Sequence, residues 1–512
     1  MSKPKKQKKS WYKSRRYLHL TEQVIEKKVY PLVSRPRLVA KHAFFPLLHK
    51  TLVERRYKKS TIDCVSKRRH KKIDKKTGKI VSTKKIRNIY YATHVDANIY
   101  AYYAREILLK KYIEFLKKTP QLSDCITAYR FIPVEKNSDK GKSSTHFAKE
   151  VFEYIEAKGE CCVLTFDIKS FFDHISHKQL KKMWCKVLGK KTLPKDHYNI
   201  YKSITNFSYV RRDDFREKHG GFDEKRLATI RNEKGVKALF SSPQDFREHI
   251  KDGKVRVYKN SNRYKNKMTG IPQGLPISPV LANLYLLNFD KEILKRVQSF
   301  GGLYRRYSDD ILVVCPHDKR QEVGRFIDKK IKKSDLEMAE DKNEICLFNY
   351  GANGELECKK VIKDENGEDY NANRPLNYLG FEFYGNKTLI RSKSLAAYYR
   401  KMKQGIKRKV KRLRKYEEKN DLPKYSATLY YRKLAIRYTT KGVKSKRRYN
   451  HTIAKLEETK GSPLSKNQKY LGNYISHVKR AGRIMGKPEI NRQIRNSNKI
   501  FRKYIAQRNK GE

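Results

Sequence analysis

Three aspartates stand where carboxylates are costly. Asp167 ends the apolar run CCVLTFD (161–167), and Asp309 and Asp310 form the tip between the apolar runs Leu303–Tyr307 and Ile311–Cys315. A carboxylate at the end of a buried strand loses hydration unless a positive charge meets it. Three that converge also repel one another, so the group calls for a counter-ion. Two divalent cations about 4 Å apart answer that need, one activating an attacking 3′-hydroxyl and the other steadying leaving pyrophosphate. Mg2+ fits best, because it takes oxygen ligands and water, which carboxylates and a triphosphate supply.

An acid pair at a turn is ordinarily just solvated, so the surrounding elements decide. CCVLTFDI reads as a compact buried strand, and LYRRYSDDILVVCP (303–316) as a β-hairpin with an acidic tip. Between them GIPQGLPISPVLANLYLLNFD (270–290) reads as a Gly/Pro/Gln turn that opens an apolar helix. RRHKKIDKKTGKIVSTKKIRNIYYATHVDA (68–97) reads as a basic hairpin running into a helix, and LNYLGFEFYG (376–385) as another short hairpin. Residues 136–145 read as a loop, 209–268 as a polar basic stretch, and 351–373 as a Gly/Asn/Asp-rich excursion. From about 395 the pattern turns helical and very basic. Tyr470, Leu471, Tyr474, Ile475 and Val478 share one helical face beyond a linker at 461–468.

Composition narrows the partner. The 512 residues hold 121 Lys and Arg against 53 Asp and Glu, a net charge of +68. A charge of that size implies a polyanion. It is spread along the chain and not gathered on one amphipathic helix, which favours nucleic acid over a membrane surface. Many of the 35 tyrosines adjoin Arg or Lys, as in WYKSRRY and YYRK. Such rings stack on bases while cations hold phosphates, or else they fill the core. No apolar run reaches 18 residues and the first 20 residues lack an apolar h-region, so neither a membrane span nor a secretory signal is expected. Eight cysteines without a CxxC or zinc spacing fit a reduced, cytoplasmic protein.

Taken together, TFDIKSFFD (165–173), GIPQGLPISPVLANLY (270–285) and YRRYSDDILVV (304–314) resemble palm motifs A, B and C of reverse transcriptases. KNE (342–344) is similar to motif D, and LNYLGFEFYG to the motif E primer-grip hairpin. The resemblance covers roughly residues 60–400. It points to the bacterial lineage of group II intron and retron enzymes, and within it to the defence-associated, unknown-group or abortive-infection-like members. It implies an α+β right-hand polymerase fold. A basic arm (1–20) would precede fingers with N-terminal helices (21–160). A palm with an RRM-like antiparallel sheet (161–390) and an α-helical thumb with a basic C-terminal helical domain (391–512) would follow.

The resemblance also assigns roles. Asp167, Asp309 and Asp310 would be catalytic and hold the metals, with Asp167 and Asp309 bridging two Mg2+ ions, for which Mn2+ substitutes, Asp310 acting less directly, and the Ile168 carbonyl completing one shell. Phe172 would be the steric gate under the sugar that selects dNTPs. Lys84, Lys85 and Arg87 would hold the triphosphate, and Pro272, Gln273 and Gly274 would lie against nucleotide and template. Lys342 would protonate pyrophosphate. Arg130 would approach the template, Tyr307 the primer end, and Tyr378, Leu379 and Gly380 the primer. Asp173 is expected to cap the helix that follows it. The implied partners are dNTPs, an RNA template with its cDNA product, a structured noncoding RNA and a second copy of the chain, with no membrane. The implied activity is RNA-directed DNA synthesis in antiphage defence. A retron or intron-type enzyme, an RNA-dependent RNA polymerase and a non-catalytic RNA-binding scaffold are the alternatives.

Overall fold

The computed structural model describes residues 11–15, 17–55, 58–62, 65–73, 77–136, 138–215, 237–339, 343–363, 369–423, 426–443 and 472–509. The fold is α+β. Its centre is a six-stranded antiparallel sheet in the order Leu303–Tyr307, Asp310–Cys315, Cys161–Asp167, Glu344–Tyr350, Leu356–Lys363 and Asp369–Asn373. The last two strands account for most of the 351–373 excursion: Leu356–Lys363 buries Leu356 and Cys358 and extends the sheet edge. Cys161–Asp167 reads as a nearly unbroken apolar run because both faces of this central strand are covered. Cys162, Leu164 and Phe166 enter one core, with the helices His177–Leu188, Ser278–Tyr285, Leu287–Gln298 and Arg320–Lys333. Cys161 and Val163 enter a second core on the opposite face, with Ser144–Lys158 and the C-terminal helices. The seven described cysteines are buried and free.

A second sheet carries the basic strand Lys84–Tyr91 beside Leu47–Arg55, Ser208–Arg211 and Tyr258–Lys259. The Lys71–Ile73 and Ile80–Ser82 pairing realises the expected basic hairpin. A three-stranded sheet, Leu376–Tyr378, Phe381–Phe383 and Thr388–Ile390, leads into the 28-residue helix Ser392–Lys419. That helix buries Tyr398, Met402, Ile406 and Val410 along one stripe and turns its many cations outward. Tyr474, Ile475 and Val478 lie in the Tyr474–Met485 helix, while Tyr470 and Leu471 fall outside the described residues. Among the described residues no helix is long and apolar enough to cross a membrane.

Inside the first core lies an ion pair with no solvent exposure. Arg306 donates from Nε and Nη2 to the two carboxylate oxygens of Asp290, each at 2.6 Å, and Tyr304 donates its hydroxyl to the same carboxylate at 2.6 Å. A planar guanidinium meeting a carboxylate through two parallel bonds is the strong form of this contact. Two members of the YRRY cluster are therefore core residues and not a surface for nucleic acid.

The expected flexible arm is docked over its described part. Trp11, His19 and Leu20 are buried. Tyr17 stacks on His94 and donates its hydroxyl to the Ala92 carbonyl at 2.8 Å. His19 Nε2 meets the Tyr91 carbonyl at 2.9 Å, and its Nδ1 accepts from the Leu20 amide. Burial pushes the His19 imidazole down to about 3, whereas an unfolded imidazole titrates near 6.5. Between those values the unfolded chain binds the extra proton, so the stability is full above about pH 6.5 and falls on acidification. From pH 7 to pH 5 His19 should remove about 2 kcal/mol of unfolding free energy. Chemical denaturation at both pH values, compared with His19→Gln, should show that the variant loses this part of the slope; an identical slope would contradict the assignment.

Candidate active site

Strand register brings the acids together. Asp167 lies directly opposite Asp310 in the antiparallel pair, which puts their Cβ atoms about 5 Å apart. Asp309 occupies the two-residue turn between Tyr307 and Asp310. Ser308, the other turn residue, has φ +64°, and Arg306 Nη1 donates to its carbonyl at 3.0 Å. The Ser308 hydroxyl meets the Tyr129 hydroxyl at 2.8 Å. Tyr129 has φ +64° itself, and Thr127 donates its amide and hydroxyl to the Arg306 carbonyl at 3.1 Å each. Left-handed backbone at non-glycine residues is uncommon and concentrates at functional sites. Here two such residues clasp each other beside Asp309, and a third, Ser170 at φ +45°, follows Asp167.

These elements wall a cavity of about 1270 Å³. Asp167, Ile168 and Asp309 line it, with Phe172, Gln273, Lys84, Lys85 and Arg87. Phe171 and Phe172 both line the cavity, Phe171 being buried against Tyr285. The lining holds Asp167, Asp173, Asp309, Asp328 and Glu337 against Lys84, Lys85, Arg87, Lys169 and Lys332. Near-equal charge is unusual in so basic a chain and suits a site for both cations and phosphates. Arg87 Nη1 pairs with Glu54 at 3.0 Å across the adjacent strand. Glu337 accepts from the Tyr264 hydroxyl at 2.9 Å and from Lys169 at 3.3 Å. These hydrogen bonds hold the Glu337 carboxyl below its usual range.

The residues present fit a divalent cation. Lys169 and Ala339 donate their amides to Glu337 and Asp167 around the Ile168–Met338 bridge. In that pattern the Ile168 carbonyl points away from Met338, toward the side where Asp309 stands. Two carboxylates and a carbonyl then share one wall. Among the described residues no group of three or more His, Cys, Asp or Glu is placed to hold a metal ion by itself.

The turn before the Ser278–Tyr285 helix is clamped from two sides. Ile271 and Gly270 donate their amides to Phe172 and Ile175, each at 2.9 Å. Tyr90 donates its amide to the Gln273 carbonyl at 2.8 Å. Gly274 has φ +117°, and a Cβ there would stand 2.7 Å from the Tyr90 carbonyl oxygen. Only glycine lets this turn bind together the Phe171–His174 segment and the basic strand.

Other expected site residues sit away from the cavity wall. Asp310 is exposed at the start of its strand. Pro272 is buried and accepts from Ser278 Oγ at 2.7 Å. Arg130 spends its guanidinium on the Ile126 carbonyl and on Ser123, at the end of the Pro120–Cys125 helix. Tyr307 is half-buried against Phe147. Tyr378 is turned into the second core, and burial pushes its hydroxyl well above the ordinary value. Leu379 and Gly380, both at positive φ, form the hairpin tip that solvent reaches. Lys342 lies outside the described residues.

Asp173 does not cap the helix that follows. Ser176 precedes that helix, and Asp173 lies in the short Phe171–His174 helix beside the cavity, where surrounding protein raises its carboxyl above the usual range. Tyr129, Lys169, Asp328, Lys332 and Glu337 are lining residues that sequence reasoning missed. Lys169 sits inside TFDIKSFFD and was within reach of the motif; the others are brought in only by tertiary packing.

Residues 220–383 match the reverse transcriptase (RNA-dependent DNA polymerase) family. The match runs from before the Gln273 turn through the Phe381–Phe383 strand, with Asp309 and Asp310 inside it and Asp167 outside it, and it falls on an α+β fold. No curated protein matches the chain. Similar solved structures include apo telomerase from Candida tropicalis truncated from its C-terminal domain, at 9% identity and a TM-score of 0.36, covering 67% of this chain and 57% of that one. Another is telomerase from Candida albicans with a TWJ fragment of telomeric RNA, at 10% identity and a TM-score of 0.33, covering 83% of this chain and 60% of that one. The chain thus spans under two thirds of these telomerases.

Gly274→Ala should cost about 1–3 kcal/mol and displace Gln273 from the cavity wall. Denaturation midpoints check the first effect, and unchanged stability would mean that the clamp is not under steric constraint.

Proposed function

We propose that the protein is an RNA-directed DNA polymerase that extends a 3′-hydroxyl with dNTPs. The observation that carries this reading is the like-charge register of Asp167 and Asp310, with Asp309 in the adjoining turn, beside a cavity that also holds cations. Directly opposed carboxylates destabilise a strand pair, and a bound divalent metal would offset that repulsion. Asp167, Asp309, Asp310 and the Ile168 carbonyl would hold the metal. Two such ions, Mg2+ or Mn2+, would polarise the attacking and leaving oxygens when bound. The chain's own part is positioning. Lys84, Lys85 and Arg87 reach the cavity from the basic strand and would neutralise the triphosphate, with Arg87 leaving Glu54 to do so. Phe172 would close the space beneath C2′ of the sugar.

In this reading residues 21–160 act as fingers, 161–390 as palm and 391–512 as thumb and RNA-binding domain. Leu379 and Gly380 would meet the primer through the exposed hairpin tip, and Tyr378 would brace that hairpin from inside. The charge excess supports a sizeable structured RNA as a standing partner, whose binding would fall steeply with salt. The motif resemblance supports antiphage defence as the setting.

Phe172→Ala should raise rNTP incorporation relative to dNTP at least tenfold while leaving extension with dNTPs measurable. Single-nucleotide extension on an RNA template, with kcat/KM taken for both sugars, checks this. Unchanged discrimination would remove Phe172 from the sugar pocket.

A further inference from the structure

The three-stranded sheet that carries the Leu379–Gly380 tip has an outer strand, Thr388–Ile390, and a distant segment closes its edge. Alternate residues of an antiparallel strand turn their amides to opposite sides. Leu389 stands opposite Glu382 in register, and Thr388 and Ile390 turn their amides outward. Both residues are buried, and a buried amide without a partner is costly. Among the described residues no fourth strand pairs with this edge. Two side chains take its place. Glu489 Oε1 accepts from the Thr388 amide at 3.2 Å. Gln493 Oε1 accepts from the Ile390 amide at 2.8 Å, and its Nε2 donates to the Ile390 carbonyl at 3.2 Å. A carboxamide that meets both groups of one residue stands in for the peptide of a neighbouring strand. The spacing fits, since four helical residues rise about 6 Å and two strand residues about 6.8 Å. Gln493 keeps helical backbone just past Glu489–Arg492, at φ −60° and ψ −23°. The segment has its own anchors. Ile490 and Ile494 are buried in the second core, and Lys487 pairs with Glu156 of the Ser144–Lys158 helix at 3.0 Å.

From this edge the contacts lead to the tip. Arg391 follows Ile390, and its amide donates to the Gly380 carbonyl at 3.0 Å. Ser392 comes next and gives its amide and hydroxyl to the Glu382 carboxylate, at 2.9 Å and 2.7 Å. It also opens the 28-residue helix, so the outer strand joins the tip, the middle strand and that helix. Leu379 has φ +44°. Left-handed backbone at such a residue persists only where the surrounding structure over-determines it. The side of the tip that faces solvent supplies no such contacts, so the strands behind it must.

We propose that Gln493 and Glu489 are positioning residues for primer extension: they close the open edge of this sheet and thereby fix the Leu379–Gly380 tip against the primer end. They act through Ile390 and Arg391 and touch no substrate. A segment 101 to 103 residues further along the chain thus completes the primer hairpin and couples the C-terminal helices to it. That the tip meets a primer rests on the polymerase reading; the closure of the edge does not.

Hydrogen exchange and steady-state extension of a DNA primer on an RNA template, both with the full chain, test it. Gln493→Met keeps length and bulk but forms neither bond. It should speed exchange across residues 376–383, which Gln493 does not touch, by about tenfold. It should also raise KM for the primer–template about tenfold, with kcat and the KM for dNTP within about twofold of wild type. Gln493→Glu still accepts from the Ile390 amide but cannot donate to the carbonyl, so it should fall between. Phe246→Leu is the control, since Phe246 lies in a separate small core with Leu48 and Val210. It should lower the melting temperature and leave the primer KM unchanged. An unchanged primer KM in Gln493→Met would overturn the proposal. So would an equal rise in the KM for dNTP, or an equal rise of the primer KM in Phe246→Leu. A wild-type protein that extends no primer would overturn the polymerase reading and this role with it, while faster exchange in Gln493→Met would still establish the closed edge.

Discussion

The buried pair of Arg306 and Asp290 is the contact on which the site depends. Both side chains are fully removed from water. Taking either charge out of water costs several kcal/mol, and leaving one without the other costs about 3–5 kcal/mol. The structure meets that cost with Tyr304 and Asn283 as further partners. In return the guanidinium is fixed, and its Nη1 holds the Ser308 carbonyl. A left-handed turn at a non-glycine residue needs such support. Asp309 is the next residue, so its position follows from an ion pair buried in the core behind it.

The same economy recurs around the cavity. Each reactive side chain sits at the end of a rigid element, and each end is locked by backbone contacts to a neighbour. The Ile126–Arg306 bridge ties the Tyr129 loop to the Asp309 hairpin. The Gln273 turn joins the Phe172 segment to the basic strand through Gly274 and Gly270. A nucleotide entering the cavity would meet groups from these five separate stretches of chain already held in relative position. Preorganisation of this kind leaves only the Arg87 side chain to move, out of its pair with Glu54, when phosphates arrive.

Much of this was legible from residue order. The apolar strand ending in Asp167, the acidic hairpin tip, the Gly/Pro/Gln turn and the basic strand each follow from local pattern, and the structure has them as expected. Three features resisted. Whether YRRY is core or a basic-aromatic surface stays open in the sequence because Asp290, its partner, is distant in sequence and only packing joins them. Asp173 looked like a cap because acid-before-helix is a local signal, yet Ser176 lies nearer the helix start. The described part of residues 11–20 docks through rings, Trp11 and Tyr17 among them, whose partners are distant in sequence. For YRRY and for residues 11–20 the missing information was a long-range contact.

The central claim is that the carboxylates at this strand pair carry nucleotide transfer. The most direct test is extension of a labelled primer on an RNA template by the purified protein, with dNTPs and Mg2+, beside the Asp309→Ala, Asp310→Ala double variant. The account predicts templated extension by the wild type, its loss in the double variant by at least a thousandfold, and undiminished RNA binding by both. Undiminished extension by the double variant would contradict it.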